Sequence, residues 1–309
     1  MNYTFHQLQI FLKVCELKSI TKASEAMYLT QPAVSIQLKK FQEQFDIPLI
    51  DLVGRKIYVT DFGNAIAKVS QKILDETELI KTTALQYQGL LAGKIAISIV
   101  STGKYVLPYF MSDFINNHRE VDISIDVTNK AKVLESLNKN EVDFALVSVV
   151  PDDNLYQKVE LMPNQLFLFT GKNEENTKAS KKELSQLPMI FREKGSATRN
   201  AMEQYFDSQG IRPISSLELV SNEAVKQAVR AGLGLSILPI IGMKSELDSG
   251  NMKIIEVKGL PITTSWNLIY IKGKSLSPAS QAFLDYIAKN REEIIRDKFP
   301  EIAQINSEE

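Results

Sequence analysis

From residue 61 to about residue 90 the chain has no proline and only two glycines, Gly63 and Gly89, and its apolar residues recur at a and d spacing. Phe62, Ile66, Val69, Ile73, Ile80 and Tyr87 form the stripe, with Glu76 and Thr83 as polar breaks. A helix of this length spans roughly 45 Å, and a narrow apolar stripe along it must be covered. A second copy of the chain, as in a coiled coil, is the first candidate. Packing onto the chain's own preceding residues is the other. The stretch Gly89-Leu90-Leu91-Ala92-Gly93 then breaks the pattern as a hinge between two differently patterned parts of the chain.

Upstream the periodicity is helical. Leu8, Phe11, Leu12 and Cys15 fall at i, i+3, i+4 and i+7 in a first helix over 4–18. Ser19 is placed to cap a second helix, in which Ala23 and Ala26 are small enough for close contact with a neighbour. After a turn at Tyr28-Leu29, Thr30 is placed to cap a third helix running to about Gln44. Pro32 falls in its first turn, where no N–H is needed, and Val34, Leu38 and Phe41 lie on one face. Residues 49–60 alternate as a hairpin turning at Gly54-Arg55-Lys56.

Downstream, strands and helices alternate. Strands over 94–100, 121–127 and 143–149 enclose helices over 106–117 and 132–139, an order that implies a mostly parallel sheet. Further strands are expected over 165–170, 217–220, 235–239, 252–257 and 266–271. Helices are expected over 196–209, 222–231 and 278 to about 299. Residues 173–186 read as a loop with a short helix, and 306–309 as a disordered tail.

Composition removes several function classes. No apolar run approaches the ~20 residues of a membrane span, and the N-terminus lacks the basic-then-apolar pattern of a secretory signal. The single cysteine, Cys15, excludes an intrachain disulfide, and a cytoplasmic location is expected. Two histidines and one cysteine, far apart, provide no metal site, and no cofactor is expected. No nucleophile elbow, phosphate-binding loop, HExxH or dinucleotide fingerprint is present, so no enzyme is expected. Residues 93–300 alone would suit a secreted solute-binding protein, but the first sixty residues would not. Net charge is −1, and residues 1–60 carry seven Lys/Arg against five Asp/Glu, a net of +2. So weak a basic footprint leaves any nucleic-acid reading to motifs.

Those motifs stand in order. Leu8-x-x-Phe11-x-x-Val14, Ser19-Ile20-Thr21-x-Ala23, Thr30-Gln31-Pro32-Ala33-Val34-Ser35 and Gly54-Arg55-Lys56-x-x-x-Thr60-x-x-Gly63 resemble the N-terminal signature of the LysR-type transcriptional regulators. Val106-Leu107-Pro108, Asp143-Phe144-Ala145-Leu146, Ala231-Gly232-Leu233-Gly234-Leu235 and Leu238-Pro239 match that family's sensor domain, so the resemblance covers about residues 5–290. The stretch from Ser221 to Val229, with GSATR and VGRKIYVT, looks most like a subgroup controlling carbon fixation or sulphur assimilation. Phe41-Gln42 replaces the family's usual Leu-Glu, Asp46 its usual Gly, and Leu52 its usual Arg.

The resemblance implies an α/β chain with an all-α N-terminal winged helix-turn-helix over 1–60. A linker and dimerisation helix over 61–92 comes next, then two α/β subdomains like a periplasmic binding protein. The first would take 93–162 and 268–302, the second 163–267, joined by crossover strands near Gln165 and Trp266. Promoter DNA would be met by Thr30, Gln31, Pro32, Ser35 and Lys39 at the third helix and by Arg55 and Lys56 on the hairpin. Gln31 suits adenine N6/N7, Lys39 a phosphate, and Arg55 and Lys56 phosphate or the minor groove. The plainer reading is that Lys39, Arg55 and Lys56 are merely solvated. Ser101, Thr102, Asn129 and Ser148 from the first subdomain, and Arg192, Ser196 and Thr198 from the second, would line a cleft for a small anionic metabolite. The plainer reading of these serines and threonines is that they only cap helices. A homodimer or homotetramer, with RNA polymerase as a further partner and no membrane association, completes the expectation.

Overall fold

The structure, a computed structural model, describes residues 2–300 except Arg55 and Glu175, and describes no side chain for Glu78, Lys81, Ser215 and Ser216. The expected tail over 306–309, the last residues of 268–302 and Arg55 therefore lie outside the described residues. The chain forms two compact units, Met1–Leu90 and Leu91–Glu309.

In the first unit, α1 (Phe5–Leu17) starts at a capping box: Thr4 Oγ1 accepts from the Gln7 amide and Gln7 Oε1 from the Thr4 amide. Its inward stripe is Leu8, Ile10, Phe11 and Val14. The expected stripe is thus rotated, and Leu12 and Cys15 are only half-buried. That burial still pushes the Cys15 thiol up to about 11. Helix α2 (Ile20–Ala26) is capped by Ser19. Ala23 is fully buried, whereas Ala26 is exposed, and Ser24 takes the second inward position. Helix α3 (Gln31–Gln42), capped by Thr30, buries Val34, Leu38 and Phe41 as its period requires. The Phe41 ring lies 5.1 Å from Phe11 and 5.3 Å from Phe45.

Strands β1 (Ile50–Val53) and β2 (Lys56–Val59) pair antiparallel with Val53 opposite Lys56, so Lys56 opens the second strand rather than standing in the turn. Helix α4 (Asp61–Tyr87) starts at a cap by Thr60. Its stripe divides. Phe62, Ile66 and Ile73 pack against the core of this unit, while Val69, Ile80 and Tyr87 remain exposed. Packing onto the chain's own residues therefore covers one part of the stripe, and the other part stays exposed.

The second unit opens with β3 (Gly93–Val100), a 3-10 turn over Ser101–Tyr105, α5 (Leu107–Asn117), β4 (Val121–Thr128), α6 (Lys130–Asn138) and β5 (Phe144–Val147). Strand β6 (Tyr156–Gly171) is long, and sequence patterning foresees only its last third. Next come α7 (Lys181–Leu184), β7 (Pro188–Arg192), α8 (Ala197–Gln209), β8 (Ile214–Leu219) and α9 (Asn222–Arg230). The chain ends with β9 (Ser236–Pro239), α10 (Lys244–Asp248), β10 (Met252–Ile255), β11 (Ile262–Ile271) and α11 (Pro278–Lys298).

The main sheet runs β10-β6-β11-β5-β3-β4, with β9 also on β6. Strand β3 pairs parallel with β4 and β5; β9, β10 and β11 pair antiparallel with their neighbours. The parallel order expected of the βαβαβ strands holds for β3, β4 and β5, and the antiparallel pairs beyond them have a topological reason. Strand β6 carries the chain out of the first half and β11 brings it back beside it, so the two must run in opposite directions. A separate parallel pair, β7 and β8, is tied to the residue before β9 by Ile190 N–H to the Leu235 carbonyl at 2.7 Å.

The interior of this unit is divided. One core gathers β3, β5, α5 and α11 with Trp266, which is fully buried opposite Met162. Beyond it, Leu166, Leu168, Met202 and Phe206 form a second core, and Phe169, Val225 and Leu238 a third. At ~25 cal/mol per Å² of apolar surface buried, the first core stabilises one half and the second and third the other, which leaves the polar seam between the halves free to carry a site.

Candidate functional site

In the first unit, Thr30, Gln31, Pro32, Ser35 and Lys39 are all exposed, at the start of α3 and along the flank beside its buried Val34 and Leu38. Lys39 lies 3.9 Å from Glu43, a solvated pair too weak to withdraw it from other partners. Lys56 is exposed at the start of β2. Ser35 and Lys39 line a groove with Gln42 and Leu52. Gln42 secures the chain entering the hairpin: its Oε1 accepts from the Leu49 amide at 2.6 Å, and its Nε2 donates to the Ile47 carbonyl at 3.1 Å. A glutamine therefore meets the acceptor need at this point in the chain. Leu52 instead places an apolar side chain, 65% exposed, on the hairpin flank.

The sequence places a turn at Tyr28-Leu29 but does not foresee the backbone that Tyr28 adopts. It is 97% exposed, at φ 55°, two residues before the cap of α3. Tyrosine is no signal for a left-handed turn, which favours glycine or asparagine.

In the second unit, all seven residues expected to meet a small molecule line one cleft enclosing about 300 Å³, part of it open to solvent. They arrive at the carboxyl ends of parallel strands, where α/β sheets build sites. Ser101 and Thr102 follow β3. Asn129 follows β4 and caps α6, its Oδ1 accepting from the Lys132 amide at 3.0 Å. Ser148 follows β5. Arg192 ends β7, and Ser196 caps α8, with Thr198 in its first turn. Asn129 and Ser196 thus cap helices and line the cleft at once. Three helices of nine residues or more, α6, α8 and α9, begin at this cleft, and their free amides favour negative charge.

Four polar lining residues escape sequence reasoning: Thr128, Lys130, Glu193 and Asn222. Lys130 and Glu193 directly follow the expected residues Asn129 and Arg192, so adjacency is the available signal. Burial lowers the pKa of the Lys130 ammonium. Arg192, 6% exposed, is held by its neighbour: Nε lies 2.7 Å from Glu193 Oε2 and Nη2 lies 2.8 Å from Oε1. This bidentate pair occupies much of the donor fork that the sequence offered to an anion. Arg199 supports the wall from behind, donating to the Arg192 carbonyl at 2.7 Å and to Glu203 and Glu218 at 2.6 Å each. Its two carboxylate partners raise its pKa. An inner pocket of about 230 Å³ shares Thr102, Ser148 and Thr198 and reaches Asn164 and Thr264. Among the described residues no helix is long and apolar enough to cross a membrane.

Comparison with known proteins joins the two units. The family model described as bacterial regulatory helix-turn-helix protein, lysR family, matches residues 5–64, and the LysR substrate binding domain matches residues 88–292. The chain belongs to the LysR family. This LysR-type transcriptional regulator pairs an N-terminal helix-turn-helix with a C-terminal effector-binding domain. It is 33% identical to the HTH-type transcriptional activator CmpR of Synechocystis sp., over 95% of this chain and 97% of that one. It is 34% identical to a RuBisCO operon transcriptional regulator of Acidithiobacillus ferrooxidans, over 92% and 93%. Its relatives thus fall in the carbon-fixation branch of the family. Among solved structures, the regulatory domain of Synechocystis CcmR in complex with 2-PG is 30% identical, with a TM-score of 0.60 over 63% of this chain and 95% of that chain. Full-length CbnR with its target DNA, 17% identical, shares the fold at a TM-score of 0.71 over 93% and 99%.

Proposed function

We propose that this LysR-type regulator is a cytoplasmic homodimer or homotetramer that reads promoter DNA and alters its hold on it when a small anionic metabolite enters the cleft. In this reading residues 1–60 meet the DNA, with Gln31, Pro32 and Ser35 of α3 in the major groove and Lys39, Arg55 and Lys56 on the backbone. Residues 61–92 dimerise, and the half built from 93–162 and 268–302 closes on 163–267 around the metabolite. A ligand that touches both halves favours the closed state by as much as its differential affinity for it. Closure then changes the spacing of the DNA-binding units and the recruitment of RNA polymerase. The observation that carries this reading is the meeting of Ser101, Thr102, Asn129 and Ser148 with Arg192, Ser196 and Thr198 at one cleft where three helices begin. That the CcmR relative holds 2-PG in its regulatory domain supports a small ligand here too.

Fluorescence anisotropy tests it, with the full chain, DNA from upstream of its own gene, random DNA and a panel of small anions at fixed salt. Selective binding that one anion alters is the expected result. Gln31→Ala should lose about 1–3 kcal/mol of discrimination between operator and random DNA. Lys56→Ala should weaken binding to all DNA alike and reduce the salt slope by about 1. Equal affinity for operator and random DNA at every salt concentration would remove the reading.

A further inference from the structure

Among the described residues three that are not glycine take a left-handed backbone: Lys18 at φ 48°, Tyr28 at φ 55° and Asn140 at φ 57°. Two of them have a local reason. Lys18 caps the C-terminus of α1, where an ammonium meets free carbonyls, and asparagine is a side chain that tolerates this conformation. Tyr28 has neither reason. It follows Met27, the C-cap of α2, at the position that glycine commonly takes, and its Cβ bears the full steric penalty there. The Tyr28 amide donates to the Glu25 carbonyl at 3.2 Å and the Leu29 amide to the Ser24 carbonyl at 2.9 Å, bonds that any residue at this turn could make. The side chain recovers nothing within the chain, because its ring and hydroxyl stand almost wholly in solvent. A rare conformation kept without a structural gain points to function.

The place of Tyr28 says which function. Three residues on, Gln31 opens α3, and Thr30, Gln31 and Pro32 are exposed around that start. Three residues of chain span at most about 11 Å. With the start of α3 in a major groove about 12 Å wide, Tyr28 stands at the groove wall, where sugars and phosphates line the duplex. Bases in a duplex are stacked on one another and offer a ring at the wall no face to stack on. A phosphate oxygen, in contrast, is an acceptor that a tyrosine hydroxyl suits.

We infer that Tyr28 contacts DNA, its hydroxyl donating to a phosphate beside the start of α3 and its ring packing on the adjoining deoxyribose. This rests on residues 1–60 meeting DNA. It adds an uncharged backbone contact to those of Lys39, Arg55 and Lys56, and it gives the strained turn a reason to keep a tyrosine.

The test is fluorescence anisotropy of the full chain on an operator that the chain itself selects from random duplexes, at several salt concentrations. Tyr28→Phe keeps the ring and the strain and removes only the hydroxyl. It should bind about three- to tenfold more weakly. No charge is lost, so the slope of affinity against salt should equal the parent's. Methylphosphonate at single phosphates locates the contact: one replacement that weakens the parent should matter much less to Tyr28→Phe. Tyr28→Gly relieves the strain and removes the side chain. It should melt no lower than the parent and yet bind DNA more weakly than Tyr28→Phe, a pair of signs that a merely structural tyrosine would not give. Parent-like affinity of Tyr28→Phe, or the same methylphosphonate profile for both proteins, overturns the inference. So does a Tyr28→Gly that melts lower, since the tyrosine would then be holding the turn. Each of those outcomes leaves operator selection, and with it the DNA reading, intact. A full chain that selects no operator removes that reading and the inference together.

Discussion

The Tyr105 hydroxyl donates to Glu223 Oε2 at 3.3 Å and so ties the half of the effector domain that carries β3 to the half that carries α9. The tie is part of a network. Glu223 also holds Lys226 at 3.0 Å, and Lys226 reaches Glu246 at 3.2 Å. The Tyr105 ring packs directly on Gly242, where an added Cβ would lie 2.9 Å from its edge. Tyr105→Phe keeps the ring and removes only the hydrogen bond. The bond is long and partly solvated, so the loss should be about 1 kcal/mol or less, read as a lower urea midpoint at unchanged slope. An identical midpoint would mean that ring packing alone joins the halves here.

The same network sets a pH window. A hydrogen bond from Gln227, aided by Lys226 and Tyr105 against the opposing effect of burial, holds the Glu223 carboxyl below its ordinary range. For Lys226 burial works downward, but Glu223 and Glu246 outweigh it and raise the ammonium above its ordinary value. A depressed carboxyl stabilises the fold above its unfolded value, about 4.3, and that contribution is lost as pH falls through the folded value. A raised ammonium stabilises below about 10.4, and its contribution is lost as pH rises through the folded value. The stability difference between the parent and Glu223→Gln should therefore be flat near neutrality and shrink in acid. A difference that stays constant into acid would contradict the assignment.

Gly63 is fixed by the hairpin. A Cβ there would collide with the Leu49 carbonyl oxygen, which already accepts the Thr60 amide at 3.1 Å. Backbone cannot yield as a side chain can. Gly63→Ala should cost on the order of 3 kcal/mol and impair DNA binding through the displaced hairpin. A variant that melts at the parent's temperature would show that the hairpin and α4 can separate freely.

The unpacked part of α4 presents Val69, Ile80 and Tyr87, with Ile80 73% exposed. If a second copy covers this stripe, Ile80→Glu should raise the dissociation constant of the dimer by about tenfold or more. Sedimentation equilibrium of parent and variant at matched concentrations gives the answer. Equal masses would place the self-association surface elsewhere.

Tyr28 holds a left-handed conformation at φ 55° without the side chain that usually tolerates it. Tyr28→Asn should raise stability by about 0.5–1 kcal/mol, measured by thermal unfolding. A fall in stability would indicate that the tyrosine makes a compensating contact.

Local chemistry made much of this chain legible in its sequence. The caps Ser19 and Thr30 and the buried face of α3 follow from residue type and spacing, because a cap or a 3.6-residue period acts within one turn, whereas the seven cleft residues came from the resemblance to the family's sensor domain. The sequence by itself determined two units separated near residue 90, the helix that presents Gln31 and Ser35, and the strand ends that meet at the cleft. Only the tertiary structure decided the rest. It set β11 antiparallel to β6, divided the α4 stripe between packed and exposed residues, and turned Ala26 outward in favour of Ser24. It also neutralised Arg192 with Glu193 while giving Lys130 no carboxylate partner among the described residues. Each of these depends on which distant segment arrives as a neighbour, and charge compensation in particular is a property of three-dimensional distance, not of order along the chain.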